Sequence, residues 1–303
     1  MRVALAATVR TLPRRAGLAY EPKFDGHRLV VVRTAEDVVL QARSGRIVTA
    51  AFPDLAAAAR QLPAGTVLDG EVVVWHAGRT DFALVQRRAA AATAARAAVL
   101  AQSLPASYAA FDVLELAGLD LRGRTYERRR ALLVDLLLPL GPPLQPVPMT
   151  TDPELAATWY ETLPASGIEG LVVKRLDQTY PAGRRGWQKL RHTQVRDAAV
   201  VGYTGTPRRP LALVLVLPVG DGIPLVSSPL TVALRADVVA AVAEREAPAR
   251  TPAGSRAGGA TVTAIGLGEV PYRPLDPPLT AEVRHPSTAR HPPPEVLRLR
   301  TEL

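Results

Sequence analysis

The segment YEPKFDGHR, residues 20–28, contains Lys23, one of three lysines in a chain where lysine and arginine together number 37. Arginine stays protonated at any working pH, whereas a lysine amine can lose its proton and attack an electrophile. Nearby cations or burial would lower the pKa of such a lysine and make it a covalent nucleophile. K-x-D-G is a short pattern that also occurs by chance, so the alternative is a surface lysine without a role.

The other two lysines, Lys174 and Lys189, also lie in strand-like runs with charged neighbours. Alternation along EGLVVK places Lys174 on the strand face opposite to Glu169, and the two could belong to the wall of a site. Lys189 and Arg191 in WQKLR point to the same side of an extended chain, where two cations suit the oxygens of a triphosphate. The structural alternatives are strand ends that reach into water and a solvated charged face.

Further candidate side chains lie on apolar strands. An unpaired carboxylate is costly there, so Glu71 in LDGEVVVW and Glu169 could together hold Mg²⁺, which prefers oxygen ligands and bridges to phosphates. Phe111 in YAAFDVL could stack on a purine or could belong to the core. Arg28 follows Lys23 by five residues and could reach a hydroxyl or phosphate of the same ligand. No G-x-x-x-x-G-K-[ST] sequence occurs, so any nucleotide is bound without a P-loop.

The composition limits the kind of protein that contains these residues. The 303 residues are 48% hydrophobic and 21% charged, which is typical of globular chains and suits two domains. There is no cysteine, which excludes disulfides and thiolate metal sites, and the five histidines show no H-x-x-x-H spacing for zinc. The net charge of +9 favours a polyanionic partner, most simply nucleic acid. No apolar run resembles a signal peptide or a membrane span, so we expect a cytoplasmic protein without membrane contact.

Strands must position most of the candidate residues. Runs rich in β-branched or aromatic residues, bounded by turn residues, predict strands at 28–33 and 38–43, which pair, and at 66–75, 107–116 and 169–176. Arg28, Glu71, Phe111, Glu169 and Lys174 lie within these runs, and Lys23 lies in the entry to the first of them.

Helices are predicted between the strands. Helical apolar spacing predicts them at 52–62 and 126–138, and a cap predicts a third at 151–163. In the last of these, Asp152 can cap the helix and Pro153 suits its first position. Strands that alternate with helices in this way indicate a domain that contains both.

Other stretches differ from these in composition and pattern. The alanine-rich residues 87–102 predict one solvated helix, and 139–148 are too rich in proline to be anything but a loop. After about residue 194, short strands separated by Gly and Pro turns, with 223–234 among them, predict a small all-β barrel of OB type with little helix. The stretch 250–260 is predicted to be a flexible connection.

Six motifs in order, EPKFDGHR, ARSGR at 42–46, LDGEVVVW, YAAFDVL, EGLVVK and WQKLR, resemble those of ATP-dependent DNA ligases, which are covalent nucleotidyltransferases. Six ordered motifs are far more specific than any one, and all three lysines lie within them. The resemblance implies an α+β fold, with a nucleotidyltransferase (ATP-grasp-like ligase) domain of antiparallel sheets over residues 1–194. The β-rich residues 195–303 are similar to the all-β OB-fold barrel of these ligases.

The resemblance also implies a role for each matching residue. Lys23 would become adenylated, while Lys174 and Lys189 would be phosphate-side cations. Glu21 matches the position whose backbone reads the adenine amino group, and Phe111 matches the aromatic residue that stacks on adenine. Arg28 matches the arginine on the ribose side, and Arg43 matches a residue that holds the phosphate of a nick. Glu71 and Glu169 match the ribose and metal carboxylates.

Some residues depart from the family pattern. Ala42 stands where these ligases often have serine, which removes a hydroxyl contact. Arg191 stands where a second lysine is usual, and it keeps the charge with a different geometry. The ending VLRLRTEL matches the last ligase motif loosely, so Arg298, Arg300 and Glu302 must replace the usual R-x-D-K. The two arginines point the same way along a strand, and we expect them to align the pyrophosphate leaving group.

The implied reaction is the sealing of a DNA nick. Lys23 would attack the α-phosphate of ATP, AMP would move to the 5′-phosphate of the nick, and the 3′-hydroxyl would displace AMP. The resemblance implies ATP as cosubstrate, Mg²⁺ or Mn²⁺ as cofactor and nicked double-stranded DNA as partner. The chain lacks a large N-terminal DNA-binding domain and so resembles short bacterial repair ligases. We therefore expect a nucleoid-associated monomer with break-repair partners such as Ku or a primase-polymerase.

Two other function classes share part of this pattern. An RNA ligase or a capping-type nucleotidyltransferase would have similar motifs, and a non-enzymatic nucleic-acid-binding relative would have only the fold. The full motif spacing and the OB-like region favour DNA ligase over the first class. Intact Lys23, Glu71, Glu169 and Lys189 argue against the second, because a protein without activity does not need its nucleophile.

Overall fold

Runs of β-branched and aromatic residues form strands at the predicted places in the computed structural model, which describes residues 1–218, 222–246, 260–264, 268–286 and 293–300. The chain divides into two units, Met1–His192 and Thr193–Leu303. The strands of the first unit are β1 Leu5–Thr8, β2 Leu18–Lys23, β3 His27–Arg33, β4 Val38–Ala42, β5 Thr66–His76, β6 Arg79–Thr80, β7 Ala106–Leu116, β8 Leu119–Asp120, β9 Leu144–Pro146, β10 Gly170–Arg175 and β11 Arg185–Arg191.

These strands form two sheets. A four-stranded sheet has the order β1-β11-β10-β2, and a seven-stranded sheet has the order β4-β3-β5-β7-β8, with β6 paired to β5 and β9 to β7. The predicted pairing of the strands at 28–33 and 38–43 is confirmed, since β3 and β4 are antiparallel neighbours. Most pairs are antiparallel, whereas β1 with β11 and β7 with β9 are parallel.

Side-chain alternation explains how the two sheets pack. Val30 of β3 belongs to an apolar cluster that includes Trp187 of β11, so this cluster joins the two sheets. The opposite face of β3 has Leu29 and Val31, which belong to the main core with the helices. Alternation thus gives each strand one face toward the other sheet and one toward helices.

Helices cover the outer faces of the sheets. The prediction that Asp152 caps a helix is confirmed, because its side chain accepts a hydrogen bond from the Glu154 backbone N–H at 2.9 Å. Short 3₁₀ turns span Thr49–Ala51 and Leu163–Ser166. The α-helices of this unit are α1 Pro53–Ala59, α2 Phe82–Ala89, α3 Ala94–Ser103, α4 Tyr126–Leu137 and α5 Pro153–Thr162.

The alanine-rich stretch is not the single solvated helix that the sequence predicts. The side chain of Asp81 caps α2 and that of Thr93 caps α3, so the stretch divides into two helices. Arg88 is fully buried and pairs with Asp54 at 2.6 Å, which fixes α2 against the core. The helix prediction was wrong because composition does not reveal a capping threonine or a buried partner.

The proline-rich stretch 139–148 is also more ordered than predicted. It contains β9, which pairs in parallel with β7 from Tyr108↔Leu144 to Ala110↔Pro146. Leu144 is buried in the core of the first unit. Pro can end an edge strand without loss of a ladder hydrogen bond, so this stretch is not only a loop.

The second unit combines strands with one described helix. Its sheet has the order β14-β13-β12-β16-β15, with β17 paired to β16. The elements are β12 Thr193–Thr206, β13 Arg209–Val216, β14 Leu225–Val226, α6 Val232–Glu246, β15 Ala260–Ala264, β16 Gly268–Pro286 and β17 Glu295–Arg300.

The α6 helix corrects the prediction of an all-β region. Leu234, Val238 and Val242 recur every four residues and are buried in the core of this unit. That spacing gives a helical apolar face. The predicted strand at 223–234 is therefore a short strand followed by the start of a helix.

Some expectations lie outside the described residues. The predicted connection at 250–260 is outside them except for its last residue, and Glu302 is outside them too. No helix in the described ranges is both long and apolar enough to span a membrane.

Candidate active site

A cavity of about 300 Å³ lies in the first unit and is lined by residues of both its sheets. This volume is at the lower end of the range usual for small-molecule sites. Most of the residues that the sequence singled out line it: Glu21, Lys23, Arg28, Arg43, Glu71, Phe111, Lys174, Lys189 and Arg191.

The register of the four-stranded sheet orders the side chains along one wall of the cavity. Gly170 of β10 lies between Lys23 on β2 and Arg191 on β11. Val172, two residues further along β10, lies in the same way between Glu21 on β2 and Lys189 on β11. The prediction that Lys189 and Arg191 share one side of their strand is confirmed, because both line the cavity.

Gly170 is required where the three strands come together. Its φ is 145°, and a Cβ atom would lie 2.1 Å from a backbone carbonyl oxygen of β11. Glu169 precedes this glycine, and its side chain contacts Lys23 and Arg191 on the cavity side. The prediction that Glu169 lies on the face opposite to Lys174 is wrong, because regular alternation begins only after Gly170.

Glu169 connects the two cations at this end of the cavity. Its Oε2 forms an ion pair and a hydrogen bond with Lys23 Nζ. Its Oε1 lies 2.6 Å from Arg191 Nε, an ion pair without hydrogen-bond geometry. The Glu169 side chain is 2% exposed and that of Lys23 is 20% exposed, so the lysine remains accessible from the cavity while the carboxylate does not.

Two more carboxyl groups lie near Lys23. Burial raises the pKa of Glu71 to about 7, against the opposing effect of Lys23 and Arg28. Burial raises the pKa of Asp25 to about 6, and the charge of Glu169 adds to this. Asp25 Oδ2 is buried and has no hydrogen-bond partner among the described residues. Sequence reasoning did not select Asp25, although its place in K-F-D-G beside the lysine was an available signal.

The carboxyl groups near Lys23 suit a metal ion that is bound partly by the protein and partly by a substrate. The described residues include no group of three or more His, Cys, Asp or Glu side chains that could hold a metal. Mg²⁺ commonly binds through one or two carboxylates together with substrate phosphates. Glu71 lines the cavity and can supply one such oxygen ligand, and an added cation would offset the burial that raises its pKa. Glu169 is paired with Lys23 and Arg191, so it could bind the ion only if one of these pairs opened. The donor set therefore fits Mg²⁺ that enters with a nucleotide.

Lys174 lies in a different environment on the same wall. Its Nζ is 2.7 Å from Glu21 Oε2 and donates to the Phe111 backbone carbonyl oxygen at 2.8 Å. The rings of Trp187 and Tyr126 lie 4.4 and 4.7 Å from the ammonium. Burial lowers the pKa of Lys174, while the charge of Glu21 opposes this. The structure thus groups Lys174 with Glu21 and Phe111, which the resemblance associates with adenine.

Tyr126 extends this group from the first turn of α4. Its buried hydroxyl donates to Glu21 Oε1, so both oxygens of Glu21 are bound. Burial, and next the charge of Glu21, raise the pKa of Tyr126. Sequence reasoning missed Tyr126 because no local pattern shows that a helix residue meets a strand residue 105 positions away.

Arg28 is fixed by residues outside the predicted set. Its guanidinium donates to both carboxylate oxygens of Asp69, at 2.9 and 2.6 Å, and to the Ala4 carbonyl oxygen at 2.6 Å. The Tyr180 hydroxyl donates to Asp69 at 2.5 Å. Such a two-point pair holds the planar guanidinium in one orientation. Asp69 could have been found from its place in L-D-G-E, two residues before Glu71.

Phe111 faces the cavity as part of an aromatic and cationic group. Its ring lies 5.7 Å from that of Trp187 in an edge-to-face arrangement. The Arg28 guanidinium lies 5.1 Å from the Phe111 ring centroid and 5.3 Å from that of Trp187. Trp187 is buried and was not selected from the sequence, although it lies two residues before Lys189 and on the same face of β11.

The remaining predicted cations of the first unit are Lys189 and Arg43. Burial lowers the pKa of Lys189, and Arg191 and Lys23 lower it further. Arg43 lies in the turn after β4, is exposed and lines the cavity. Both therefore add positive charge to the part of the wall near Lys23.

Arg298 and Arg300 belong to β17 of the second unit. Arg298 pairs with Glu282 at 2.7 Å, and Arg300 pairs with Glu282 and Asp197 at 3.0 Å. Because both reach Glu282, the prediction that they point the same way is confirmed. Neither is among the residues that line the cavity of the first unit.

Comparison with known sequences identifies the family. The family model for the ATP-dependent DNA ligase domain matches residues 4–191. DNA ligase C2 of Mycolicibacterium smegmatis is 38% identical over 200 residues, which are 66% of this chain and 56% of that protein. DNA ligase C of Mycobacterium tuberculosis is 36% identical over 204 residues with the same shares. The chain thus spans little more than half the length of these relatives.

Comparison with solved structures gives the same result as the comparison of sequences. The ligase domain of M. tuberculosis LigD is 27% identical with a TM-score of 0.55, and the match covers 99% of this chain and 94% of that one. Mycobacterial DNA ligase D, complexed with ATP and MES, is 27% identical with a TM-score of 0.54, over 100% and 95% of the two chains. The fold is that of a nucleotidyltransferase ligase domain with helices and antiparallel sheets. Since the family model covers more than half of its residues, the chain belongs to the ATP-dependent DNA ligase family.

Proposed function

We propose that this protein seals nicks in duplex DNA with ATP as cosubstrate, through a lysyl-AMP intermediate. The observation that supports this best is the accessible amine of Lys23, which lies on the wall of a cavity of about 300 Å³ beside Glu169, Arg191 and Lys189. A primary amine among cations and carboxylates can form a bond to phosphorus and can be held in line for displacement.

In the first step, Lys23 Nζ attacks the α-phosphorus of ATP. A P–N bond forms, the bond to the bridging oxygen breaks, and pyrophosphate leaves. The Lys23 ammonium first loses a proton to water, which its 20% exposed side chain can contact, because only the neutral amine can attack. Arg191 and Lys189 lie beside Lys23 and stabilise the charge that develops on the phosphate oxygens.

In the next steps, AMP passes from the protein to DNA. A 5′-phosphate oxygen of the nick attacks the phosphorus of lysyl-AMP, the P–N bond breaks, and Lys23 regains a proton. The 3′-hydroxyl then attacks the 5′-phosphate, forms the phosphodiester and releases AMP. Both displacements need the two DNA ends to be held in line, so positioning accounts for much of the rate.

Glu71 and Glu169 would hold Mg²⁺ or Mn²⁺, which neutralises negative charge on phosphate oxygens when bound. Their oxygens provide the one or two protein ligands that such an ion needs beside a nucleotide.

The other end of the cavity suits the nucleoside of ATP. Phe111 offers a ring face, and the buried ion pair of Lys174 with Glu21 fixes the Glu21 backbone for contact with the base. Arg28 is oriented by Asp69 for the ribose. The position of Lys174 supports a role at the base more than the phosphate-side role that the resemblance implies.

For the second unit, we propose an OB-type domain, with the boundary near residues 194 and 195. Its strand order, with α6 between β14 and β15, supports this, and the two structural matches extend over 99% or more of the chain. Arg298 and Arg300 are proposed to align pyrophosphate in the first step only. Their exposed ion pairs with Glu282 and Asp197 are weak enough to exchange for a phosphate.

Nicked double-stranded DNA is the proposed partner, in DNA repair. The net charge of +9 supports binding to the phosphate backbone without regard to base sequence. An interface that neutralises about six phosphates would lose affinity on the order of a thousandfold between about 50 and 200 mM salt. Ku or a primase-polymerase as a protein partner remains a prediction.

The test is incubation of the protein with α-labelled ATP, followed by denaturing electrophoresis and by sealing assays on a substrate panel. Label that survives denaturation, together with sealing of a nicked DNA duplex, is the expected result. Covalent label together with sealing of RNA ends only would identify an RNA ligase. Covalent label from GTP instead of ATP would identify a capping-type enzyme. No covalent label at all would leave a nucleic-acid-binding protein without ligase activity.

A further inference from the structure

Trp75 is a large aromatic side chain that remains 45% exposed and is not itself among the residues that line the cavity. It lies on β5, four residues after Glu71, and alternation places both on the same face of that strand. Its ring packs edge-to-face with that of Phe24, with 6.5 Å between centroids and an interplanar angle of 79°. Phe24 follows Lys23 directly and lines the cavity. The pair therefore continues the cavity wall outward from the nucleophile.

This aromatic surface does not suit the nucleotide that enters the cavity. Four residues of strand separate the Cα atoms of Trp75 and Glu71 by about 13 Å, so Trp75 is too far along the strand to share a ribose contact with Glu71. The only polar atom of the ring is one indole N–H, which offers little to a polyphosphate. A second substrate is the better match for an aromatic surface at this place.

The charges around Phe24 indicate the chemistry of that substrate. Arg43, Lys189 and Arg191 line the same cavity as Phe24, so this wall combines an apolar ring with several cations. Polynucleotides present flat bases and apolar sugar faces next to phosphates, and proteins bind them with rings and cations in this combination. An exposed tryptophan could also contact a protein, but a protein partner would not need the adjacent cations to converge on the nucleophile.

We propose that the Phe24–Trp75 pair is a docking surface for the nicked duplex, in which Trp75 packs on the base or sugar of a nucleotide that flanks the nick. This inference rests on the proposed ligase function. The edge-to-face contact with Phe24 fixes the Trp75 ring before DNA arrives, so little conformational freedom is lost on binding. The surface acts when the DNA is present and has no role in the first step with ATP.

The test compares Trp75→Ala and Trp75→Phe in the full chain, with Leu119→Ala as a control for loss of an exposed apolar side chain. Three quantities are measured: covalent AMP label, affinity for nicked duplex, and sealing of a nick that already has AMP on its 5′ end. Removal of one stacking contact should weaken affinity and pre-adenylated sealing about tenfold in Trp75→Ala. Label should change less than about twofold, Trp75→Phe should recover most of the loss, and Leu119→Ala should resemble the wild type.

Several results would overturn the inference. One is that Trp75→Ala binds and seals nicked DNA as the wild type does. That result is also expected if the surface serves a protein partner instead of DNA. Another is an equal loss of label and sealing in both Trp75 variants with an unchanged circular dichroism spectrum, which would make Trp75 a support for the cavity itself. Failure of the wild type to seal any nick would instead refute the ligase function, and this inference with it.

Discussion

Lys23 and Lys174 each pair with a glutamate on the wall of the same cavity, yet the two pairs have different surroundings. The Lys23 side chain is 20% exposed, and its partner Glu169 is shared with Arg191. Lys174 has no exposed side-chain surface and binds Glu21 within a ring of aromatic side chains. The difference teaches that the same ion pair can keep one amine accessible for reaction and fix another as part of the binding surface.

The largest expected effect comes from the reactive lysine. Lys23→Arg should reduce covalent AMP label to background, because a guanidinium cannot supply a neutral amine at any working pH. The positive charge beside Glu169 is kept, so circular dichroism and the unfolding midpoint should stay near those of the wild type. Lys189→Arg is the matched control and should retain measurable label. Near-normal label in Lys23→Arg would place the nucleophile elsewhere and remove the basis of the comparison.

The next effect concerns stability and separates the two lysines directly. Lys174→Met should lower the free energy of unfolding by about 3 kcal/mol, because Glu21 would remain buried without its cation. Lys23→Met should cost roughly 1 kcal/mol or less, because Glu169 keeps Arg191 and the lysine is partly solvated. Urea denaturation of both variants measures the difference. Equal losses would show that the two pairs are energetically alike.

Removal of the shared carboxylate tests the reactive end again. Glu169→Gln should slow both self-adenylation and the sealing of a pre-adenylated nick by at least about tenfold, since a metal ligand acts in more than one phosphoryl transfer. Asp177→Asn is a suitable control, because Asp177 forms an exposed ion pair with Arg175. Rates are measured over a range of Mg²⁺ concentrations. Wild-type rates for Glu169→Gln at saturating Mg²⁺ would make Glu169 a structural residue only.

The smallest effect should come from the hydroxyl group that fixes Glu21. Tyr126→Phe keeps the ring beside Lys174 but removes a hydrogen bond to a charged group, so stability should fall by about 1.5 kcal/mol. The KM for ATP in self-adenylation should rise roughly threefold, as a looser Glu21 weakens ground-state binding, while kcat changes little. Tyr20→Phe is the control, since the Tyr20 hydroxyl donates to Pro13 at 2.7 Å, away from the cavity. An equal rise in KM for both variants would contradict a specific role of Tyr126.

Strand positions were the most predictable part of the molecule. Runs such as 66–75 and 107–116 are rich in β-branched and aromatic residues, and β5 and β7 lie there within a residue at each end. Helices with a cap that can be read locally, such as Asp152 before α5, were predictable as well. Periodicity and caps depend on neighbours a few residues away, so the sequence contains them directly.

Elements that depend on distant partners were predicted less well. The helices at 82–89 and 94–103 are separate because Thr93 caps the second, while Arg88 holds the first against Asp54, 34 positions away. The α6 helix was missed because a short strand and a proline precede it, although its apolar residues recur every four positions. For the first helix the burial partner is distant and no local pattern identifies it, whereas the apolar period of α6 is a local signal that competes with the preceding proline.

For the site, the sequence by itself determined which side chains can do chemistry. The three lysines, Glu71 and the alternation along β11 were sufficient to select much of the cavity wall, and the selected Glu169 pairs with Lys23 without lining the cavity. Only the tertiary structure decided how these residues divide between the two ends of the cavity. Gly170 turns Glu169 toward Lys23, and three aromatic rings close around Lys174, because strands from distant parts of the chain meet there. The charge and reactivity of a side chain are local properties, whereas its exposure and partners arise from packing between elements far apart in sequence.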